Sequence, residues 1–264
     1  MKILYIGDIV AKIGRRAVTQ VLPKLIEDKQ IDFVIAQAEN MSTGNGITQK
    51  ALKEMQDAGV DFFTGGNHSF KKPEGLELMQ DPKNQIIRPA NYPDDTPGKG
   101  WQIAKTPFGN VLVINVLGQT FNGPELKHPI KVIDEVLQEN SDTKLAATIV
   151  DFHGDLTSEK VAIGFYLDGK VSAVVGSHTH VSTADARVLP KGTAHITDVG
   201  MTGPIDSVLG VKKEIIIDRW LNEGKSRFEW PKTGTVQFSS VLVDVASNGL
   251  AKNIEQILIN TEVG

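Results

Sequence analysis

Short runs of apolar residues, many rich in Val and Ile, recur along the chain and alternate with segments of helical periodicity. Continuous apolar runs are typical of buried strands, because both faces of such strands are covered. Strands that alternate with helices predict an α/β protein with a mixed sheet or sheets. The predicted strands are KILYIGDIV, DFVIAQAEN, DFFTGGNH, NVLVINVLG, AATIVDFHG, SAVVGSHTH, AHITDVG, VQFSSVLVDV and IEQILIN.

Five segments between these runs predict helices. In TQKALKEMQDAG we expect Thr48 to cap the helix and Gly59 to end it. In the first helical segment Pro23 is expected to kink or interrupt the helix, because proline lacks the N–H that the helix needs. The other predicted helices lie in GRRAVTQVLPKLIEDK, PIKVIDEVLQEN, SEKVAIGFYLDG and KKEIIIDRWLNEG.

One long turn-rich segment, RPANYPDDTPGKG at residues 88–100, divides the pattern. It has the composition of a linker, but apolar strands resume directly after it. We therefore predict an excursion within a single domain of residues 1–264, a length that can bury a substantial core.

Composition restricts the partners and the chemistry. The net charge of −4 gives no overall electrostatic signal for a nucleic-acid polymer or an anionic membrane, so neither partner is expected. The chain has no cysteine, which excludes disulfides, thiolate metal sites and a cysteine nucleophile. The apolar run in MKILYIGDIV is short and is interrupted by Asp8, and no run approaches the roughly 18 residues that span a bilayer. We expect a cytoplasmic protein.

Residues of metal-ligand type follow five of the predicted strands. Ligands of open α/β sheets bind outside the carboxyl ends of the strands, so these side chains are expected to converge on one cleft. The residues are Asp8, Glu39, Asn40, Asn67, His68, His153, His178 and His180.

Each of these residues also has an ordinary structural explanation. Asp8 and Asn67 are common in turns and caps, and a lone His153 is usually a hydrogen-bonded core residue. A buried, unpaired Glu39 is harder to explain, because an isolated carboxylate is costly to bury. Coincidence at five strand ends favours a site. We expect His128 at the surface, and His195 in the core or behind the ligands.

His178 and His180 are one residue apart in GSHTH. If the segment is extended, their side chains point to the same side, with Cα atoms roughly 6 to 7 Å apart. Two metal ions about 3.5 to 4 Å apart can then take one imidazole each.

The combined set predicts a site for two ions of manganese, iron, zinc or magnesium, which accept oxygen and imidazole ligands. Glu39 can bridge the two ions. Such a pair lowers the pKa of a bound water, so that hydroxide attacks phosphorus near neutral pH, and it neutralises the phosphoryl oxygens. His68 is placed to protonate the leaving alkoxide as a general acid.

The residues GD (7–8), EN (39–40), GNH (66–68), His153 and GSHTH (176–180) resemble those of the calcineurin-like metallophosphoesterases. Together with AENMSTGNGIT, RPANYP, DFHGDLTSEK and TDVGMTGPIDSVLG, they are similar to the bacterial YmdB-type branch over most of the chain. This resemblance implies a four-layer α-β-β-α sandwich. It also implies two metal ions, usually iron or manganese, and phosphodiesterase activity on cyclic nucleotides.

The resemblance also implies roles for individual residues. Asp8 and His180, helped by Asn40, would hold one ion, and Glu39 would bridge. Asn67, His153 and His178 would hold the other ion, and His68 would donate the proton. Two positions depart from the wider superfamily, because Val10 stands where a histidine is usual and Glu39 where an aspartate is usual. Both departures agree with the YmdB-type branch.

The leading prediction is a phosphodiesterase that acts on 2′,3′-cyclic or 3′,5′-cyclic nucleoside monophosphates. The alternatives are a phosphomonoesterase or 5′-nucleotidase with the same metals, and a regulatory protein that binds metal or nucleotide with little turnover. A homo-oligomer is left open, as are the roles of Arg88 and of the glycine-rich loops TGNGIT (43–48) and TGPIDSVLG (202–210).

Overall fold

The computed structural model describes residues 1–121 and 125–264. The helices are α1 (Ala11–Lys29), α2 (Gln49–Asp57), α3 (Pro73–Gln80), α4 (Pro129–Glu139), α5 (Thr157–Tyr166) and α6 (Lys213–Asn222). The strands are β1 (Lys2–Ile6), β2 (Asp8–Ile9), β3 (Phe33–Gln37), β4 (Phe62–Thr64), β5 (Ile86–Ile87), β6 (Trp101–Thr106), β7 (Gly109–Leu117), β8 (Leu145–His153), β9 (Ala173–Ser177), β10 (Arg187–Val188), β11 (Ala194–Ile196), β12 (Met201–Pro204), β13 (Gly234–Val245) and β14 (Ala251–Val263).

The strands form two sheets. The first has the order β2-β12-β13-β1-β3-β4-β5, with β14 paired to β13, and the second has the order β10-β11-β9-β8-β7-β6. The parallel strands β1, β3, β4 and β5 of the first sheet share one direction. The strands β7, β8, β9 and β11 of the second sheet are also parallel. Each sheet therefore gathers several carboxyl strand ends at one edge.

Alternating residues of each sheet enter different apolar layers. Leu4 of β1 packs in a cluster with Leu22 of α1 and Leu52 of α2, whereas Tyr5 belongs to a cluster with Ile149 of β8. The first cluster covers the outer face of the first sheet, and the second lies between the two sheets.

A third cluster joins the second sheet to its own helices. It contains Val150 of β8, Ile133 of α4 and Ile163 of α5. The layers are thus helices, sheet, sheet and helices, which confirms the expected α-β-β-α sandwich. Because helices cover the outer faces, the strands are buried on both sides, as their continuous apolar runs predict.

Helix α1 differs from the sequence-based expectation, because it continues through Pro23. The expected interruption is wrong. Leu22 and Leu25 beside the proline are buried against the sheet. Burial of each leucine contributes about 1.5–3 kcal/mol, which offsets the roughly 3 kcal/mol cost of an internal proline.

The predicted ends of α2 are confirmed. The Thr48 hydroxyl oxygen accepts a hydrogen bond from the Ala51 amide at 3.4 Å. Gly59 has a φ of +106°, which an L side chain rarely adopts, directly after the last turn.

Residues 88–100 join β5 at the edge of the first sheet to β6 at the edge of the second. Their backbone closes on itself, since the Arg88 amide donates to Lys99 O, and it is attached to β7, since the Ala90 amide donates to Asn115 O. Among the described residues, no helix is both long enough and apolar enough to cross a membrane.

Candidate metal centre

Asp8 follows β1 and is fully buried. Gly7 lets the backbone of residue 200 approach, because a Cβ there would lie 1.9 Å from Gly200 O. One carboxylate oxygen, Oδ2, accepts from the His178 amide at 3.1 Å. The other, Oδ1, lies 3.7 Å from His180 Nε2.

Glu39 and Asn40 follow β3, one strand along in the same sheet. Glu39 is fully buried, and its Oε2 accepts from the His68 amide at 2.7 Å. Asn40 contacts both sides of the site. Its Nδ2 lies 3.1 Å from His180 Nε2, and its Oδ1 lies 2.9 Å from His68 Nδ1.

Asn67 and His68 follow β4 in the tight turn Gly66–Ser69, which the Ser69 hydroxyl closes by accepting from the Gly66 amide at 2.8 Å. Asn67 Oδ1 lies 3.0 Å from His153 Nε2. A Cβ on Gly66 would lie 2.2 Å from Glu39 Oε2 and 2.6 Å from His153 Nε2, so only glycine leaves the space between these two groups open.

His153 is the last residue of β8 and brings the second sheet to the site. Its Nε2 lies 3.4 Å from Glu39 Oε1, and both side chains are fully buried. Its ring centre lies 4.7 Å from that of His178. The structure therefore joins Asp8, Glu39, Asn40, Asn67, His68, His153, His178 and His180 into one connected group.

The local geometry of His178 and His180 differs from the prediction. Strand β9 ends at Ser177, and both histidines have positive φ, +94° and +63°. The expectation of an extended segment with two parallel side chains is therefore wrong. Left-handed backbone on either side of Thr179, rather than strand alternation, places the His178 ring against His153 and the His180 ring against Asp8.

A buried ion pair holds this strained turn in place. Lys160 Nζ lies 2.6 Å from Asp198 Oδ2, and both side chains are 1% exposed. Lys160 also donates to Ser177 O at 2.8 Å, while Asp198 accepts from the Thr179 amide at 3.1 Å and from its hydroxyl at 2.7 Å. The pair thus fixes the residue before His178 and the residue between the two histidines.

The charges of the central carboxylates and imidazoles are strongly coupled. Burial opposes the charge on Glu39, but His153 and His68 outweigh it, so the pKa of Glu39 lies well below its usual value. Burial likewise opposes the charge on His153, yet Glu39 raises the pKa of His153 to about 9. Burial raises the pKa of Asp8 to about 6, although His180 and His153 act in the opposite direction.

Two other imidazoles, unlike that of His153, have pKa values shifted toward the neutral form. Burial, followed by the charge of His153, lowers the pKa of His178 to about 4. Burial also lowers the pKa of His68, against the effect of Glu39. Neutral imidazoles are the form in which histidine binds metal ions.

Several observations fit metal ions at this centre. Asp8 Oδ1 is buried, and no described residue gives it a hydrogen bond. Ligand atoms of Glu39, His153 and His178 all lie within 4.8 Å of one another. His180 Nδ1 donates to Leu209 O at 3.0 Å, which directs its Nε2 toward the site and is the usual support of a metal-binding histidine.

The structure adds residues that the strand-end pattern missed. Asp155 Oδ1 lies 2.9 Å from His178 Nε2. The Ser177 hydroxyl lies 2.9 Å from His153 Nδ1 and donates to Asp151 Oδ1 at 2.7 Å. The sequence DFHGD contains both acids, two residues before and after His153, so their spacing was the available signal.

Other residues considered in the sequence analysis lie outside the centre. Arg88 is buried, and it donates to Pro89 O at 2.7 Å and to Thr96 O at 3.1 Å. His128 is exposed at the start of α4, and His195 is buried in β11, as expected. Leu209, in the second glycine-rich loop, provides the carbonyl that supports His180.

Comparison with known proteins agrees with the family resemblance of the sequence motifs. Residues 4–257 match the model of the YmdB-like protein family. A Bacillus subtilis (strain 168) protein named 2′,3′-cyclic-nucleotide 2′-phosphodiesterase is 43% identical over 99% of this chain and 98% of its own length. The crystal structure of a protein from Mycoplasma pneumoniae, described as a novel phosphatase, has a TM-score of 0.90 at 32% identity and covers 99% of this chain and 94% of its own.

A more distant structure shows how widely the fold is shared. The 5′-nucleotidase precursor from Thermus thermophilus has a TM-score of 0.61 at 12% identity, covering 99% of this chain and 54% of its own. At that identity the likeness concerns the fold alone, which is the four-layer α-β-β-α sandwich. The family match and the identity to the B. subtilis protein extend over nearly the whole chain, and the chain therefore belongs to the YmdB-like protein family.

Proposed function

We propose that the chain is a phosphodiesterase with two metal ions that hydrolyses cyclic nucleotides, with 2′,3′-cyclic nucleoside monophosphates as the main class. The observation that carries the proposal is the meeting of oxygen and imidazole donors at the carboxyl ends of two sheets. The name of the B. subtilis relative supports the substrate class. Iron or manganese is the proposed metal, and zinc or magnesium would also accept these donors.

The contacts divide the proposed ligands into two groups. Asp8, with its Oδ1 3.7 Å from His180 Nε2, belongs to one, and Asn67, with its Oδ1 3.0 Å from His153 Nε2, belongs to the other. Bound ions would supply positive charge against the phosphoryl oxygens. The proposed ligands are Asp8, Asn40 and His180 for one ion and Asn67, His153 and His178 for the other, with Glu39 shared.

In the proposed reaction, water adds its hydroxyl group to phosphorus and releases its remaining proton to the solvent, while the bond from phosphorus to O2′ breaks. The electron pair of that bond stays on O2′, which takes a proton from His68, so that the products are a 3′-phosphate and a free 2′-hydroxyl. Asn40 orients the His68 ring by holding its Nδ1 at 2.9 Å. A bound phosphodiester adds negative charge beside the ring and favours its protonated form.

A phosphomonoesterase is the second candidate, because the M. pneumoniae relative is described as a phosphatase. A panel of 2′,3′-cyclic AMP, 3′,5′-cyclic AMP and AMP separates the candidates by their kcat/KM values. The proposal expects the first substrate to be preferred. Preference for AMP would replace it with the phosphomonoesterase, and nucleotide binding without hydrolysis would favour a regulatory protein.

The direct test of the centre is Glu39→Gln, which preserves size but removes the charge that lies 3.4 Å from both His153 and His68. We expect kcat/KM on 2′,3′-cyclic AMP to fall roughly 100-fold or more. The metal content by mass spectrometry is also expected to decrease, with an unchanged far-UV circular dichroism spectrum. Glu139→Gln at an exposed position of helix α4 is the matched control. Full activity of the Glu39 variant would reject the shared role of this carboxylate.

We also propose that residues 1–264 act as one domain. The apolar cluster between the sheets supports this, because it contains Tyr5 from β1, Ile149 from β8 and Val241 from β13. The two sheets thus share a core, and the ligands of both lie at its edge.

A further inference from the structure

A large cleft lies between the start of helix α1 and the loop that follows Asn40. Its volume is about 1270 Å³, above the 300–1,000 Å³ that is usual for small-molecule sites. Six cationic side chains line it, and we call it the basic groove. They are Lys12, Arg16, Lys72, Arg219, Arg227 and Lys232.

The positive charge of the basic groove is largely uncompensated. Among the described residues that line it, the acidic side chain is that of Glu229, which already pairs with Lys212 at 2.7 Å, and Arg16 donates to Gly264 O. Within residues 1–121 and 125–264, Lys12, Lys72, Arg227 and Lys232 have no carboxylate within ion-pair distance. This charge is concentrated on a chain whose net charge is −4, so an anionic ligand accounts for it better than general solubility does.

Aromatic side chains lie among these cations. Phe228 is 40% exposed, and the Arg219 guanidinium lies 4.2 Å from the centre of its ring. Trp230 packs directly on Gly44, where a Cβ would lie 1.8 Å from the indole. Cations interleaved with aromatic rings are the pattern by which proteins bind single-stranded nucleic acid, through phosphate contacts and base stacking.

Two segments connect the basic groove to the metal centre. The loop that starts at Asn40 continues into Ser42, Thr43 and Asn45, which line the groove. Two residues span at most about 7 Å of backbone, so the groove begins close to the ligand Asn40. Lys72 of the groove follows His68 by four residues, and the amide of the intervening Lys71 donates to His68 O at 3.0 Å.

We propose that the basic groove binds the backbone of a single-stranded RNA whose 3′ end, a 2′,3′-cyclic phosphate, occupies the metal centre. This inference rests on the proposed function and widens its substrate from mononucleotides to RNA ends. It differs from the expectation that the chain binds no nucleic acid, which was based on net charge. Net charge is a sum over all residues, whereas the groove brings together cations from between residues 12 and 232.

The test compares two substrates, 2′,3′-cyclic AMP and an octaadenylate that ends in a 2′,3′-cyclic phosphate. The variant is Lys12→Glu/Arg227→Glu/Lys232→Glu, at three exposed positions. The ratio of kcat/KM on the octamer to that on the mononucleotide is expected to fall about tenfold or more. The matched control, Lys105→Glu/Lys131→Glu/Lys252→Glu, makes the same charge change at exposed positions elsewhere and is expected to keep the ratio.

A binding measurement keeps this inference separate from the proposed function. Fluorescence anisotropy of a labelled octaadenylate with a 3′-phosphate needs no turnover. The wild-type affinity is expected to fall with salt, and the slope of log K against log salt is expected to decrease by about 2 in the groove variant, or 0.7 for each lost phosphate contact. Phe228→Ala is expected to weaken binding about fivefold through lost stacking.

Three outcomes would overturn the proposal. They are an unchanged ratio and slope in the groove variant, an equal effect of the control variant, and displacement of the RNA by an octaglutamate peptide at the same concentration. RNA binding through the groove without hydrolysis of either substrate would reject the proposed function but not the groove.

Discussion

The two sheet edges that form the candidate centre hold their proposed ligands in different ways. The first sheet contributes Asp8 from the start of β2 and Glu39 and Asn67 from turns after β3 and β4, and none of the three has a positive φ. The second sheet contributes His178 and His180 from a turn in which both have positive φ. Strand order and a local turn closed by Ser69 position the first group, whereas the second depends on the buried Lys160–Asp198 pair. Metal binding by His178 and His180 should therefore be more sensitive to substitutions of distant residues than metal binding by Asp8, Glu39 and Asn67.

The largest effect is expected from a substitution that breaks the Lys160–Asp198 ion pair. Lys160→Met leaves Asp198 buried and uncompensated, so we expect a loss of about 3–5 kcal/mol in the free energy of unfolding. Metal affinity should also fall, because the turn that carries His178 and His180 loses its support. Urea unfolding and calorimetric titration with Mn²⁺ measure the two effects.

The matched substitution on the other side is Arg15→Met. Arg15 also pairs with a carboxylate, Glu54 at 2.8 Å, and it donates to Ser42 O at 2.9 Å in the loop after Asn40. Glu54 is 31% exposed, so water can solvate it after the substitution. Stability and metal affinity should therefore fall less than in the Lys160 variant. Equal losses of metal affinity in both variants would contradict the difference between the two sides.

A smaller effect is expected at Ser177, whose hydroxyl links His153 Nδ1 to Asp151. Ser177→Ala removes this support and should weaken metal binding by roughly 10- to 100-fold. Ser172→Ala is the control, because its hydroxyl is also buried beside β9 but accepts from the Thr148 amide at 2.9 Å, away from the centre. Titration of both variants with Mn²⁺ compares their metal affinities. Equal affinities would argue against support of His153 by the Ser177 hydroxyl.

The smallest effect concerns His195, which lies in the second sheet but outside the centre. Burial lowers its pKa, so below about pH 6.5 the unfolded chain takes up a proton that the folded protein does not. Stability therefore falls as the pH drops, by at most about 1.4 kcal/mol per pH unit. In His195→Gln this contribution disappears, and the plot of unfolding free energy against pH between about 5 and 7 should be flatter. An identical slope would show that His195 titrates normally in the fold.

Much of the fold, and the placement of the first group of proposed ligands, could be predicted from the sequence. The buried strands follow from the apolar runs, and polar residues at the ends of β1, β3 and β4 stand out against them. His153 was found in the same way. These features depend on residues that are close in sequence.

The remaining features depend on contacts between distant residues. The left-handed backbone at His178 and His180 is imposed by Asp198 and Lys160, which are 38 residues apart. Nothing in GSHTH itself predicts it, because positive φ is uncommon outside glycine. The basic groove collects Lys12, Lys72 and Lys232 from three separate segments. Net charge carries no information about such a grouping.

The pairing of β1 with β13 has a consequence for biosynthesis. Lys2 lies opposite Asp244, so β1 leaves the ribosome long before its partner strand is made. Translation at about 5–20 residues per second makes that delay roughly tens of seconds. Throughout it the nascent β1 has one unpaired edge, which is open to non-native pairing with other chains. Newly made protein should therefore benefit from chaperones that shield this edge, and cells that stall translation before residue 244 should accumulate aggregates.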